Sequence, residues 1–577
     1  EVWSTTYQPT LTQPLRYEAI FSDGRVEFRR HDHDLDVHTQ IVVSPEDDIE
    51  LRRTTIANHS RTRKTLDITS YAEVVIAEQA TDKLHPAFSN LFVQTEIIEQ
   101  RRAILCTRRP RSEEEKNPWM LHVMAVHGTD IEQISYETDR SRFIGRGNTL
   151  ADAQAMGTPA NLIGTLSDSQ GSVLDPIAAV RSRIALEPEQ SATVDLVFGI
   201  GNTREEAMNL VDKYQDRRIA DRVFEMAWTQ SQVLLRQINA TEADAQLYSH
   251  IASCLIFPND SLRASASIIM ENRRGQSGLW GYAISGDLPI VLLKISDQSH
   301  IELARQLIQA HTYWRLKGLA VDLVIWNEDH AGYRQLMYDQ IMGLVSSGIV
   351  ADVNNQPGGI FVRNTDQMPE EDRILFQIVA HVIISGSKGK LINQVKQWGS
   401  LKIAVPRLIP SRTHRPAPVP AAATPRNDLL CFNGLGGFDP ERREYVILTS
   451  RFQITPAPWV NVLANPSFGT VVSESGMAYT WAENAHEFRL SPWHNDPVCD
   501  RGGEAFYIRD DERGHFWSPM PLPRRGFEPY TTRHGFGYSI FEHTERFIQS
   551  EVRVYTALDA PVKFIVIKIK NVTGRKR

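Results

Sequence analysis

The sequence predicts a multidomain β + α chain, with antiparallel β-rich regions at both ends and a helical region between them. Three observations carry this expectation. Alternating apolar and polar residues with many β-branched side chains fill residues 1 to about 200, and recur from about 428 onward. Between these regions the apolar residues recur at helical spacing. The two ends also repeat each other: with Phe28 placed over Phe541, an offset of 513 (541 − 28), Asn58 falls on Asn571, Ile56 on Ile569 and Ser60 on Thr573.

In the first region, Leu66-Asp67-Ile68-Thr69, Tyr71 to Ile76, Ile104-Leu105, His122-Val123 and Thr193 to Phe198 read as strands. Many short strands separated by turns predict a large antiparallel sandwich over 1–201. Gly199-Ile200-Gly201 is half of a dinucleotide fingerprint but lacks its third glycine; Thr203-Arg204-Glu205-Glu206 instead forms a capping box for the next helix. A helical linker is expected over 202–246, with Ala207, Leu210 and Tyr214 on one stripe, and a helical domain over 247–411. The clearest helix of that domain is Ile301 to Lys317, with Ser299 available as a cap and Gly318 as its end. Val321 to Trp326 and Gly359 to Val362 read as strands, each followed by a helix (Tyr333 to Leu344; Glu370 to Ile384), so a small α/β insertion is expected there.

Residues 412–427 read as an extended linker, with Pro416, Pro418, Pro420 and Pro425 around an alanine run. The second β-rich region follows over 428–577. Within the repeat, Val42 to Ile49 lies over Tyr555 to Val562; both read as strand, acidic turn with one proline, strand. The second copy has opening strands from about Phe432 that the first lacks, and it stops where the first has barely begun; with no initiator Met, the chain reads as a piece of a longer protein.

At 577 residues with 41% hydrophobic side chains, the chain exceeds one domain and has enough apolar material for several cores. A net charge of −7 with mixed signs excludes a nucleic-acid footprint, which needs a basic face. The basic run Arg108-Arg109-Pro110-Arg111 is followed at once by Glu113-Glu114-Glu115 and reads as a solvated loop. Cys106, Cys254, Cys431 and Cys499 have neither CxxC nor zinc spacing, which fits a reducing compartment. No apolar run reaches the ~18–20 residues that cross a bilayer. No nucleic-acid partner, no membrane contact within this segment and no cofactor are therefore expected.

Several motifs then point to a family. Asn433-Gly434 through Gly437-Phe438, Pro458-Trp459-Val460-Asn461, Phe506 to Asp510, Trp517-Ser518-Pro519 and Arg533 to Tyr538 resemble the supersandwich of the cellobiose-phosphorylase-type glycoside phosphorylases. The first copy looks more specifically like the matching domain of bacterial cyclic β-1,2-glucan synthases. The stretches that carry this are Val43 to Asp48, Thr69 to Glu73, His85 to Phe88, Glu137 to Arg140, Gly145-Arg146-Gly147, Leu174 to Ile177 and Ser285 to Ile290. The resemblance implies two galactose-mutarotase-like β-supersandwiches, the second incomplete, flanking a partial α/α-barrel-like helical domain. It further implies a segment of a membrane-embedded synthase that builds β-1,2-glucan from UDP-glucose, with the phosphorylase-like part following. The segment itself would supply carbohydrate-binding and scaffold modules on the cytoplasmic side of a bacterial inner membrane. Its partners would be a β-glucan oligosaccharide or polysaccharide and the other domains of the same parent chain. The alternative is a glycoside phosphorylase or glycosyl-transfer domain active through an acidic residue of the helical region.

Candidate catalytic carboxylates are Asp287 and Glu328 (with Asp329 beside it), because glycosyl transfer needs a carboxylic acid at the leaving oxygen. Candidate carbohydrate-binding residues are Trp280, Tyr282 and Trp326, whose ring faces suit the C–H face of a pyranose; Trp314, on an apolar stripe, reads as core. Neither carboxylate stands in a complete catalytic motif, so a structural, glucan-contacting role is expected. The run His31-Asp32-His33-Asp34-Leu35-Asp36-Val37-His38, read as one strand, sets His31 and His33 on one face and Asp32, Asp34, Asp36 and His38 on the other. The second copy has Thr544, Arg546, Gln549 and Glu551 opposite His31, His33, Asp36 and His38, so a solvated strand is expected and no metal.

Overall fold

The computed structural model describes residues 1–157, 164–328, 334–346, 355–396, 426, 428–574 and 576–577. The expected multidomain β + α class holds: antiparallel sheets at both ends enclose an α/β unit. The proline/alanine linker expected over 412–427 lies, apart from Arg426, outside the described residues, as does Asp329.

The first region is built on an eight-stranded antiparallel sheet. Its strands are β1 (Arg16–Ser22), β2 (Arg25–Asp32), β3 (Leu35–Val43), β4 (Ile49–Asn58), β5 (Val93–Ile98), β6 (Ala103–Arg108), β7 (Trp119–His127) and β8 (Ser191–Gly201), in the order β1-β2-β3-β4-β8-β7-β6-β5. Alternation sends Val37, Ile56 and Val194 toward a second, four-stranded sheet that includes Ile131–Asp139 and Pro176–Leu186. The opposite face changes character along the strands. One end carries the apolar row Val42, Leu51, Val197 and Val123, covered by helices α1 (Arg204–Lys213) and α2 (Arg217–Gln237) through Val211, Ala220 and Val223. Thr203 caps α1 by accepting from the Glu206 N–H at 3.1 Å, while the Glu206 side chain accepts from the Asn202 N–H rather than from Thr203 itself.

The His31–His38 run is a hairpin, not one strand. β2 ends at Asp32, His33 turns with φ +52°, and β3 starts at Leu35, so His31 lies directly opposite Asp36. The left-handed turn residue reverses the chain inside what alternation alone reads as continuous.

Helix α3 (Glu242–Ile256) leads into the central unit, which differs most from expectation. Its core is a four-stranded parallel sheet of β9 (Ile290–Ile295), β10 (Asp322–Asn327), β11 (Ile360–Asn364) and β12 (Ala380–Ser385), in the order β11-β10-β9-β12. Helices α4 (Ile301–Leu316), α5 (Arg334–Ser346), α6 (Glu370–Val379) and α7 (Leu391–Lys396) alternate with these strands. The α/β element is thus the body of the region and not a small insertion in a helical barrel. Val291, Leu293 and Ile295 face α3, α4 and α5, while Ile290 and Leu292 face α6 and the turn before β9. A strand buried on both faces reads as an unbroken apolar run, which periodicity does not separate from a helix. For this reason the sequence places no strand at β9, and it extends the helix at Glu370 to Ile384 although α6 stops at Val379. The cap before α4 is Asp297, which accepts from the Ser299 N–H at 2.7 Å, rather than Ser299.

The second β region has a six-stranded sheet: β13 (Gly436–Asp439), β14 (Glu444–Thr449), β15 (Tyr530–Gly535), β16 (Tyr538–Glu545), β17 (Ile548–Thr556) and β18 (Lys563–Asn571). The 513-residue offset holds here pair by pair. Phe28 faces Thr39 as Phe541 faces Val552; Leu35 faces Asn58 as Ile548 faces Asn571; Ser22 faces Arg25 as Gly535 faces Tyr538. Left-handed turn residues repeat too, His33 with Arg546 and Gly24 with Gly537. Four strands, β1–β4 and β15–β18, are therefore one structure built twice.

Candidate functional site

The candidate site is the turn that feeds β9. Residues Gln276–Tyr282 form a 3-10 helix that ends at Ala283 in the left-handed region (φ +61°). Two side chains anchor it: Leu279 and Ile284 sink into the core with Leu292, Leu375 and Phe376. Between these anchors the helix turns Trp280 outward, leaving it 64% exposed. Gly286 then bends the chain back with φ +80°, where an added Cβ would lie 2.9 Å from Leu279 and 3.0 Å from Gln276.

The resulting hollow, about 550 Å³ and open to solvent, is lined by Gln276, Trp280, Ser285 and Asp287. Gln276 Nε2 donates to the Ser285 carbonyl at 2.8 Å and to Asp287 Oδ1 at 3.1 Å. Trp280 Nε1 donates to the same Ser285 carbonyl at 3.3 Å, and the Asp287 N–H donates to Ser285 Oγ at 3.2 Å. The indole and the carboxylate are thus held by one carbonyl and one amide. Gln276, which holds the carboxylate and shares the Ser285 carbonyl with the indole, carries no sequence signal that marks it.

The other candidates lie elsewhere. Tyr282 points inward: its hydroxyl donates to Asp372 Oδ2 at 2.8 Å and its ring meets Phe376 edge-on at 5.2 Å. Burial, followed by the neighbouring Asp372 carboxylate, pushes its hydroxyl up to about 12. Trp326 is 1% exposed and packs against Phe376, so it is core and offers no face to a sugar. Trp314 is also core, donating from Nε1 to the Tyr248 carbonyl at 2.9 Å.

Glu328 follows the carboxyl end of β10, and its N–H donates to the Ile295 carbonyl at 2.7 Å. Asp287 precedes the amino end of β9. The strands are parallel, with Ile290 beside Asp322 and Ile295 beside Asn327, so the two carboxylates sit at opposite ends of neighbouring strands. Six residues of parallel strand separate them by about 20 Å at 3.3 Å per residue. A glycosidic acid and its partner stand about 5–10 Å apart. Asp287 and Glu328 therefore do not form a catalytic pair; the arrangement can stack a pyranose and hydrogen-bond its hydroxyls.

Comparisons with known proteins place the two β regions in a family. The family described as "Glycosyl hydrolase 94, supersandwich domain" matches residues 1–217 and 443–577, both β regions. Cyclic beta-(1,2)-glucan synthase NdvB of Rhizobium meliloti (strain 1021) is 31% identical over 584 aligned residues, covering 100% of this chain and 20% of that protein. N,N'-diacetylchitobiose phosphorylase of Vibrio proteolyticus is 30% identical over 145 residues, 25% of this chain and 18% of that one. Solabiose phosphorylase of Paenibacillus borealis is 31% identical over 151 residues, 25% and 19% of the respective chains. The chain spans about a fifth of the length of these relatives.

Proposed function

The chain belongs to the glycosyl hydrolase 94 supersandwich family, and from that premise we propose that it serves a glucan synthase as a connecting and glucan-holding segment. Its likeness along the whole chain to a cyclic β-(1,2)-glucan synthase supports β-1,2-glucan as the polymer. The observation that carries the reading is Trp280: a large apolar face, 64% exposed, whose indole N–H donates to the Ser285 carbonyl beside an Asp287 carboxylate held by Gln276. Side chains placed this way hold a sugar without a large ordering cost. A polymer that moves between domains needs contacts that are weak and repeated. For location we propose the cytoplasmic side of a bacterial inner membrane, which the four unpaired cysteine thiols support; among the described residues no helix is long and apolar enough to cross a membrane.

Titration calorimetry with linear β-1,2-glucan tests this. A dissociation constant on the order of 10⁻⁴–10⁻³ M is expected, from a few kcal/mol of net contact energy. Trp280→Ala should abolish the heat and leave the melting temperature unchanged. Trp326→Ala should do the reverse, lowering stability by ~3–5 kcal/mol. No heat with the unmodified chain sinks the binding role and leaves connection alone.

A further inference from the structure

The helix-bearing face of the first large sheet is only partly covered. Row by row from the apolar end, the next residues are Gln40, Arg53 and Asp195, where Arg53 donates to Asp195 at 2.7 and 2.8 Å and also reaches Asp221 near the start of α2. The helix starts near this row, and beyond it, among the described residues, the side chains of this face stand open, with Arg16 76%, His31 37% and Asp36 55% exposed. There the hairpins place Glu18, Arg29, His38 and Thr55 in one cross-strand row, and Arg16, His31, Asp36 and Ala57 in the next. Together they line a groove of about 340 Å³, within the ordinary range of small-ligand sites, about 300–1,000 Å³.

The polar atoms of this groove are held in place. His31 Nδ1 and Asp36 Oδ1 are 2.6 Å apart across the β2–β3 pair, and Asp36 Oδ2 meets His59 Nε2 at 3.1 Å. His38 Nε2 lies 2.8 Å from Glu27 Oε2, a carboxylate only 7% exposed that also takes Arg25 at 2.7 Å. Arg16 and Glu18 pair at 2.8 Å along the outer strand.

The second copy provides an internal control. In the same strands and the same register it carries Thr531, Glu542, Thr544, Gln549 and Glu551 in place of Glu18, Arg29, His31, Asp36 and His38. The four-strand unit folds without this side-chain set, so the set is not a requirement of the sheet.

We propose that this groove is a second carbohydrate site, taking a glucosyl unit through hydrogen bonds rather than through stacking. The choice of glucose rests on the function proposed above; the groove itself does not. Its chemistry excludes the other ligand classes. Of the three arginines along it, Arg30 is buried and paired with Asp32, and the guanidinium groups of Arg16 and Arg29 are balanced by the carboxylates of Glu18 and Asp36, so an anion gains no net attraction. Among the described residues no three His, Cys, Asp or Glu side chains gather as a metal site requires. What remains is an alternation of donors and acceptors on a rigid sheet, which suits hydroxyl groups that both donate and accept.

The test uses the full 577-residue chain with isotopically labelled histidine and tryptophan, titrated with β-1,2-linked glucobiose and, separately, with inorganic phosphate. The His31 and His38 ring signals should move and saturate with the disaccharide but not with phosphate. Asp36→Asn should weaken that response at least tenfold; Arg16→Gln, at a side chain 76% exposed, is the second variant in case Asp36→Asn unfolds. Trp280→Ala should leave the histidine response intact. Histidine signals that stay still, that move with phosphate instead, or that are indifferent to both groove variants overturn the site. The Trp280 indole signal reports the other site separately, so either can fail alone.

Discussion

Arg140 and Asp496 stand 356 positions apart in the chain, and their side chains meet in a two-pronged ion pair at 2.8 and 3.0 Å. Both are nearly buried, with side chains 8% and 12% exposed. Arg140 belongs to a short helix of the first sandwich, Arg140–Ile144, while Asp496 lies in the long loop between Ala482 and Ile508 of the second. Asp175 takes a third bond from Arg140 at 2.9 Å, and the neighbouring Arg146 reaches Glu474 at 2.8 Å and Asp500 at 3.1 Å. The family's two matched segments are thus joined by buried charge rather than by apolar packing alone.

Removing Arg140 leaves Asp175 and Asp496 buried without their cation. Burial pushes the Asp496 carboxyl up, but Arg140, together with the backbone N–H groups of Cys499 and Val498, holds it at about 2. Arg140→Ala should therefore cost ~3–5 kcal/mol, the usual loss when one partner of a buried pair is deleted. Denaturant unfolding measures this. A double variant with Asp496→Asn should lose less than the two single losses added together; strict additivity would show that the pair is not coupled.

Asp500 has the opposite sign. Burial, with Glu474 adding repulsion, raises its carboxyl from 3.8 to about 6 despite Arg146. The folded chain keeps this proton where the unfolded chain has lost it, so the Asp500 contribution is fully present below the ordinary value and is lost as pH climbs to about 6. At 1.36 kcal/mol per unit, the contribution falls by about 3 kcal/mol over that range. Asp500→Asn has no proton to lose, so relative to the unmodified chain it should gain stability between pH 4 and pH 7. Urea midpoints at those two values decide; parallel curves would clear Asp500.

Much of the β architecture was legible because its signals are local. The offset that brings Phe28 onto Phe541 already contains the register, since turns of equal length at Gly24 and Gly537, and at His33 and Arg546, preserve pairing through the hairpins. The α/β body was legible in part: strands are read at Val321 to Trp326 and Gly359 to Val362, where β10 and β11 stand, whereas Ile290 to Ile295 is buried on both faces and loses the alternation that marks a strand, and Ala380 to Ser385 follows α6 without a break. At the site, aromatic type marked Trp280 and Trp326 equally. Only packing separates them, because Leu279 and Ile284 take the core positions and turn Trp280 out, while Trp326 ends a central strand beneath α6.

Equal register does not mean equal burial, which gives a further test of the repeat. Phe541 is fully buried with Leu463, Val472 and Met520, because the sheet formed by Val460–Asn465, Phe468–Ser473 and Ala478–Ala482 covers it. Phe28, at the same register position, is half-buried between Tyr17 and Phe21, with both ring centroids 6.4 Å away. Phe541→Ala should cost ~3–5 kcal/mol and Phe28→Ala clearly less. Equal losses by calorimetric unfolding would mean that the two copies are packed alike.

The last prediction concerns activity. Phosphorolysis of a glucoside needs an acid at the leaving oxygen and a cradle for phosphate on the other side of the sugar. Asp287 has beside it only an indole, an amide and a hydroxyl, with no cation in its hollow. Glu328, the other described candidate, stands past the far end of the neighbouring strand, about 20 Å away by strand rise. Lys294, nearer Glu328, is committed to Gln377 at 2.6 Å and to the Trp326 ring at 5.2 Å, and burial pulls its pKa down. The chain by itself should release no glucose 1-phosphate from β-1,2-glucooligosaccharides in the presence of phosphate. Coupled detection of glucose 1-phosphate over hours, at high protein concentration, measures this directly. Release that disappears with Asp287→Asn, or with Glu328→Gln, would make that carboxylate a working acid and replace the holding role with a catalytic one.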